Sequence, residues 1–72
     1  MKTARMLAPI TLERVRSVDG TFPKTGDVVV LDQGFIFPDG RAGGLVCFLG
    51  PDGKVCWEAQ AHDTELEPRD DA

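Results

Sequence analysis

The residues whose chemistry first suggests a site are two cysteines and one histidine. Cys47, Cys56 and His62 are separated by eight and by five intervening residues. Zinc sites usually bring their ligands in closer pairs, such as two cysteines separated by two residues. A metal-binding or redox function through these three residues is therefore kept only as an alternative, and we expect no metal and no cofactor.

His62 is the only histidine, and histidine is the usual general base in enzymes. Nucleophilic catalysis would require a Ser, Thr or Cys within hydrogen-bonding distance of this ring and a third group to orient it. The chain contains one serine, Ser17, and it lacks both a nucleophile elbow and a Gly-rich phosphate loop. The sequence therefore predicts no catalytic residue and no enzymatic activity.

The charge of the chain differs between its two ends. Residues 1–26 carry five basic and two acidic residues, a net charge of +3, whereas residues 27–72 carry three basic and ten acidic residues, a net charge of −7. The acidic part would repel a phosphate backbone, so we expect nucleic-acid binding to be disfavoured. A nucleic-acid-binding barrel remains an alternative, and it would use Arg14, Arg16, Lys24 and Arg41.

The chain has 72 residues, of which 42% are hydrophobic and 28% charged, which is typical of one small globular domain. A domain of this size buries only about 60% of its unfolded surface, so self-association would add valuable burial. No apolar run is long enough for a membrane span or a signal-peptide core. We predict a cytoplasmic protein with reduced thiols, a single domain over residues 1–66, and an acidic, disordered tail over residues 67–72.

Three Asp-Gly pairs divide the chain into short segments rich in Val, Ile, Phe and Leu, and such pairs favour tight turns between strands. The apolar spacing does not support a long amphipathic helix, although a short helical turn is compatible with residues 63–65. The sequence predicts an all-β barrel of five or six strands. The predicted strands cover residues 10–18, 27–31, 34–37, 41–49 and 54–61, with a brief additional piece at 65–66.

Turn chemistry predicts the pairing of the hairpin at residues 49–55. Pro51 and Asp52 suit the centre of a type I turn, and Gly53 suits the left-handed position of a bulge, so Gly50 should pair with Lys54. If the ladder continues without interruption, one face is entirely apolar and is the expected core face. It carries Leu45, Cys47, Leu49, Val55, Trp57 and Ala59. Cys47 then points to the interior and Cys56 points away from it.

The same reasoning places a second hairpin at residues 37–41, with Ile36 opposite Ala42 and Phe35 opposite Gly43. Gly43 and Gly44 lie within the long fourth strand, where we expect a bend that divides the strand between two sheets. The N-terminal strand would then close the barrel. We expect the consecutive apolar residues 28–31 to be covered on both faces.

Residues 25–31, with the sequence TGDVVVL, resemble the Gly-Asp-x-Val-x-Val entry to the second strand of SH3-like small barrels. The resemblance implies a barrel with a bent long strand, a distal hairpin and a short turn before the last strand. The acidic and paired tryptophan positions with which signalling SH3 domains hold Pro-rich peptides have no counterpart here. The resemblance therefore implies a fold and no ligand.

The opposite face of the central hairpin is also too apolar to be left in water on a monomer. We therefore expect a non-catalytic module that binds another protein or a second copy of itself. The residues expected to form its contact surface are Ile36, Val46, Phe48 and Cys56 as an apolar patch, with Lys54 and Glu58 as the polar rim.

Overall fold

The computed structural model describes residues 2–69 as one six-stranded antiparallel sheet, which confirms the prediction of an all-β fold. The strands are β1 (Thr3–Met6), β2 (Val15–Ser17), β3 (Val28–Ile36), β4 (Ala42–Leu49), β5 (Val55–His62) and β6 (Leu66–Arg69). Single turns of 3-10 helix precede β2 at Leu12–Arg14 and β6 at Asp63–Glu65. The strand order is β2-β5-β4-β3-β1-β6. Within residues 2–69, no helix has the length and apolarity needed to cross a membrane.

The Asp-Gly pairs at residues 39–40 and 52–53 form the hairpin turns that the sequence predicts, whereas the pair at residues 19–20 lies in a bend after β2 and does not join two paired strands. The carboxylates of Asp19, Asp39 and Asp52 each accept a hydrogen bond from the backbone N–H two residues later, at 2.9 to 3.0 Å. The glycine that follows each aspartate has a φ between 80° and 86°, a region that side chains disfavour. These side-chain bonds explain why the two predicted hairpins, at residues 37–41 and 49–55, lie where expected.

The two ends of the chain differ most from the prediction. The predicted strand at residues 10–18 is instead a 3-10 turn followed by the three residues of β2, because the N–H of Arg14 closes a turn on the carbonyl of Thr11 at 2.9 Å. β1 pairs with β3 on one side and with β6 on the other. These contacts join residues far apart in the chain, so the local sequence gives no indication of them. Residues 67–69, which the sequence assigns to the tail, belong to β6, and residues 70–72 lie outside the described part of the chain.

β3 is a single strand where the sequence predicts two. Its pairing with β4 shifts between Leu31 and Gln33, which places a bulge at Asp32. The expectation that β4 divides between two sheets at Gly43 and Gly44 is wrong, because all six strands form one sheet. β4 instead pairs with both neighbours along its length. The expectation that residues 28–31 are covered on both faces is wrong, because Val28 is 39% exposed whereas Val29 is buried.

The central hairpin begins in the predicted register and then leaves it. Gly50 donates to the carbonyl of Lys54 at 2.8 Å, and Leu49 faces Val55. The next pair is Phe48 with Trp57, so Cys56 is the extra residue of a β-bulge.

Beyond that bulge, each residue of β5 pairs with a β4 residue one position away from its predicted partner. Val46 pairs with Ala59, and Cys47 pairs with Glu58. The prediction that Cys47 shares the interior with Trp57 while Cys56 points away is therefore wrong: Val46 is in the core, and Cys56 packs against its edge.

The core lies on one face of the sheet and draws on five of the six strands. Trp57 is its largest side chain, is fully buried, and stacks on Phe48 with a ring-centroid distance of 5.6 Å. Leu66 of the edge strand β6 is buried in this cluster, and Val15 of the other edge strand, β2, packs against it while partly buried, so the sheet must curl around the cluster. The buried members of the cluster are Ala4, Met6, Ile10, Val29, Val46, Trp57, Ala59, Ala61 and Leu66.

An ion pair joins the two ends of the curled sheet. Arg14 lies directly before the edge strand β2, and Glu65 lies directly before the edge strand β6. The guanidinium donates to both carboxylate oxygens, Nη1 to Oε1 at 2.8 Å and Nη2 to Oε2 at 2.9 Å. Both side chains are about one-fifth exposed, so the contact is only partly screened by water. We call this contact the seam.

The seam has a definite pH dependence. The hydrogen bond from Arg14 is the main cause that lowers the pKa of Glu65, with a smaller contribution from the backbone N–H of His62. A carboxyl group whose pKa is lower in the folded than in the unfolded state stabilises the fold at pH values above its unfolded pKa, which is about 4.3 for Glu. This stabilisation is lost as the pH falls below that value and through the lower pKa of the folded state.

We predict that Glu65→Gln lowers the free energy of unfolding by about 1–3 kcal/mol at pH 7, because the partly buried cation of Arg14 loses its carboxylate partner. The difference from the unmodified chain should shrink as the pH falls below about 4.3. Urea unfolding at several pH values measures both effects. Asp39→Asn is the matched control, since the Asp39–Arg41 pair is exposed and 3.5 Å long, and its loss should cost less than about 1 kcal/mol.

The shifted register makes a second prediction. Val46→Ala should destabilise the protein by about 1–3 kcal/mol because it leaves a cavity in the core, whereas Cys47→Ala should cost less than about 1 kcal/mol. Chemical denaturation of both variants measures the difference. The reverse order of costs would mean that the ladder continues through Cys56 without the bulge.

Candidate functional site

The structure does not gather the predicted contact residues on one surface. Val46 is fully buried in the core, and Phe48 is partly buried against Trp57. Ile36 is 67% exposed but lies at the far end of β3, opposite Ala42. The remaining three occupy different positions: Cys56 at the bulge, Lys54 in the exposed turn and Glu58 within β5.

The outer face of the sheet carries a different apolar group. Val28 and Val30 alternate with the buried Val29, and Val30 pairs with Cys47, which puts the valines on the same face as Leu45 and Leu49. Val55 faces Leu49 across the hairpin. We call this group the outer patch. It consists of Val28, Val30, Leu45, Cys47, Leu49 and Val55.

Polar side chains border the outer patch on the two flanking strands. Thr3 and Arg5 of β1 pair with Val30 and Val28 on one side. On the other side Glu58 pairs with Cys47, and Arg16 of β2 pairs with Glu58. A shallow cavity of about 270 Å³ lies beside this border, between Leu45, Glu58 and Arg16. An apolar centre with a polar rim is the usual composition of a protein-protein contact surface.

The sequence correctly predicts that Leu45, Cys47, Leu49 and Val55 share one face of the hairpin. The prediction that this face is the core is wrong. The alternation within β4 is unaffected by the bulge, so its residues stay together. The bulge at Cys56 reverses which face of the sheet each β5 side chain occupies from Trp57 onward. Trp57 thereby lies in the core. A mid-strand cysteine next to a tryptophan gives no local signal of such a bulge, so the face could not be assigned from sequence.

The three residues considered for a metal site are not assembled into one. In the part of the chain that the structure describes, no three His, Cys, Asp or Glu side chains are grouped suitably for a metal ion. Cys47 lies on the outer face beside Glu58, Cys56 lies at the bulge, and His62 lies at the opposite end of β5. Both thiols are free.

Both cysteines are held in the thiol form. A hydrogen bond to Asp19 is the main cause that raises the pKa of Cys56. Burial is the main cause that raises the pKa of Cys47, and the negative charges of Glu58 and Asp32 add to it. Since the thiolate is the reactive form, neither environment activates a nucleophile.

His62 is held by structural contacts. Its ring packs edge-on against Phe37, with centroids 4.2 Å apart, and its Nδ1 lies 3.9 Å from Oε1 of Glu65, which already accepts a hydrogen bond from Arg14. Phe37 in turn contacts Phe35, and a side chain at Gly43 would collide with the Phe37 ring. Phe37 is therefore buried in a small aromatic cluster over Gly43.

The four basic residues considered for nucleic-acid binding lie on separate elements. Arg14 is paired with Glu65 in the seam, and Arg41 is paired with Asp39 in the exposed hairpin. Arg16 lies on the outer face of β2, and Lys24 is in the loop before β3. Two of the four cations are thus already neutralised by carboxylates of the same chain.

Comparison with known proteins adds no assignment. No protein-family model matches the chain, and no curated protein and no solved structure matches it either. The surfaces of the chain itself are therefore the basis on which a function can be inferred.

The thiol environments can be tested by reaction with a disulfide reagent at pH 8. Both cysteines should react more slowly than a free cysteine peptide, because their raised pKa values leave less thiolate. Asp19→Asn should accelerate Cys56 and leave Cys47 unchanged, whereas Glu58→Gln should accelerate Cys47 alone. Mass spectrometry of the labelled peptides distinguishes the two sites, and equal acceleration of both by either variant would contradict these assignments.

Proposed function

We propose that this chain acts without catalysis, as a small protein-binding module that associates through its outer patch, and that a second copy of the chain is a partner. The observation that carries the proposal is the apolar centre of the outer face, where Val28 and Leu49 are 39% and 37% exposed. A sheet of this kind covers only one of its faces with its own core, so the other face is available for a partner.

We further propose that the scaffold is a small barrel of the SH3-like kind. Four features support this proposal: the meander of β3, β4 and β5, the pairing of the last strand with the first, the 3-10 turn directly before the last strand, and the bulge in β3. The fold does not itself name a ligand, so the function is argued from the outer patch alone.

Charge on the rim favours a second copy as the partner. Arg16 and Glu58 are neighbours on the outer face and have opposite charges. In a two-fold symmetric pair, Arg16 of one copy can face Glu58 of the other, and the contact occurs twice. Because the outer surface of a curled sheet is convex, two copies touch over a limited area, and we expect a weak dimer with a dissociation constant in the micromolar to millimolar range.

Substitution of the exposed members of the outer patch tests this proposal. Val28→Lys and Leu49→Lys should each weaken dimer formation by about tenfold or more, because a charge replaces apolar contact area. Sedimentation equilibrium over a wide concentration range measures the association. Leu12→Lys is the matched control, since Leu12 is 67% exposed and lies on the 3-10 turn, outside the patch. Ile36→Lys should also leave association unchanged.

Charge reversal tests the two-fold arrangement separately. Arg16→Glu and Glu58→Arg should each abolish association alone, since like charges then face each other across the interface. A mixture of the two variants should associate again, because each contact then joins opposite charges. A chain that stays monomeric at millimolar concentration, or a mixture no more associated than its components, would contradict self-association through this face.

A further inference from the structure

A second feature, apart from the outer patch, is a cleft at the opposite end of the sheet from the 49–55 hairpin. It has a volume of about 360 Å³ and opens to solvent. Its lining includes the facing glycines Gly34 and Gly44, which we call the floor, and apolar residues such as Leu31, Leu66 and Pro68. It also includes three exposed charged residues, which we call the rim: Lys2, Asp32 and Asp63. Cavities that hold small ligands begin at roughly 300 Å³, so this cleft has room for one long side chain.

The cleft exists because two glycines face each other. Gly34 of β3 pairs directly with Gly44 of β4, so both strands lack a side chain at the same level. A Cβ on Gly44 would collide with the carbonyl oxygen of Gln33, which explains glycine at this position by backbone packing. Gly34 is different: an added Cβ would meet only the carbonyl of Gly43, at 3.8 Å, which is ordinary contact. Glycine at position 34 therefore leaves space that the backbone does not require to be empty.

The charged residues in the lining indicate the sign of the charge that a ligand would carry. Asp32 and Asp63 contribute two carboxylates, and Lys2 contributes the one cation, so the lining has a net charge of −1. The whole chain has a formal charge of −4, which also favours a cation. A lysine or arginine side chain combines an aliphatic stem with a charged end, and the apolar lining residues and the acidic rim match these two parts.

We propose that this cleft binds a single lysine or arginine side chain presented by a partner protein. The aliphatic stem lies over the Gly34–Gly44 floor between Leu31 and Leu66, and the charged group is held at the rim by Asp32 and Asp63. Lys2 competes with the ligand for the same carboxylates. The cleft shares Leu45 with the outer patch, but Val28 and Leu49, whose substitution tests association through that patch, do not line the cleft.

Nuclear magnetic resonance titration with capped pentapeptides tests the proposal, with one lysine, arginine, norleucine or glutamate placed between alanines. The amide signals of Gly34, Gly43 and Gly44 report on the floor. The lysine and arginine peptides should shift these signals in a saturable manner, at roughly millimolar concentration because one side chain buries little area. The norleucine and glutamate peptides should give no saturable shift.

Variants of the cleft sharpen the test. Gly34→Val should abolish binding because the added side chain fills the floor, and Ala42→Val is the matched control on an exposed strand position outside the cleft. Asp32→Asn and Asp63→Asn should each weaken binding by about two- to fivefold, as expected for an exposed ion pair, and Lys2→Gln should strengthen it. Equal binding of the norleucine or glutamate peptide, no saturable shift with the lysine peptide, or undiminished binding in Gly34→Val would overturn the proposal. Val28→Lys should bind the lysine peptide normally, so failure of the cleft and failure of the outer patch are distinguishable.

Discussion

The contact between Arg14 and Glu65 is the constraint on which the curled shape of this sheet depends. The two edge strands are short, three residues in β2 and four in β6, and a short strand holds its neighbour with few hydrogen bonds. Arg14 adds to these few strand contacts, because its guanidinium donates hydrogen bonds to Glu65 and to the backbone carbonyl of Gln60, the latter at 3.0 Å.

The carboxylate of Glu65 serves both sides of the seam. The carboxylate accepts a hydrogen bond from the backbone N–H of His62 at 2.8 Å, and the backbone carbonyl of Glu65 accepts one from the N–H of Leu7 at 2.9 Å. One residue thus ties the end of β5, the 3-10 turn and the segment after β1 to the start of β2. With the two edges of the sheet joined in this way, nine buried side chains among residues 2–69 share a single core.

The bulge at Cys56 is the second decisive feature, because it determines which face of the central hairpin is inside. Without it, Trp57 would share a face with Cys47 and Leu49, and the interior would be built from β4 residues that the structure leaves outside. With it, Trp57, Ala59 and Ala61 line the core together with Val46. The apolar residues of β4 that the core does not use become the outer patch, so the bulge that completes the core also creates the surface we propose for association.

Glycine has two distinct uses in this fold. In the three Asp-Gly pairs it supplies a left-handed backbone conformation. At Gly34, Gly43 and Gly44 it supplies space: for the Phe37 ring at Gly43, for the neighbouring backbone at Gly44, and for the open cleft at Gly34. The second use produces the surface feature from which we infer a binding site.

The amino-acid sequence by itself determined the fold class, both hairpins and the register next to the two hairpin turns, because these depend on the conformational preferences of Asp, Gly and Pro over a few residues. It also kept Leu45, Cys47 and Leu49 together, since alternation within a strand is local. Only the tertiary structure decided the placement of β1, the bulge at Asp32, the seam and the face that points inward. These depend on contacts between residues far apart in the chain, where burying Trp57 against strands from both ends of the sequence outweighs the local preference for an uninterrupted ladder.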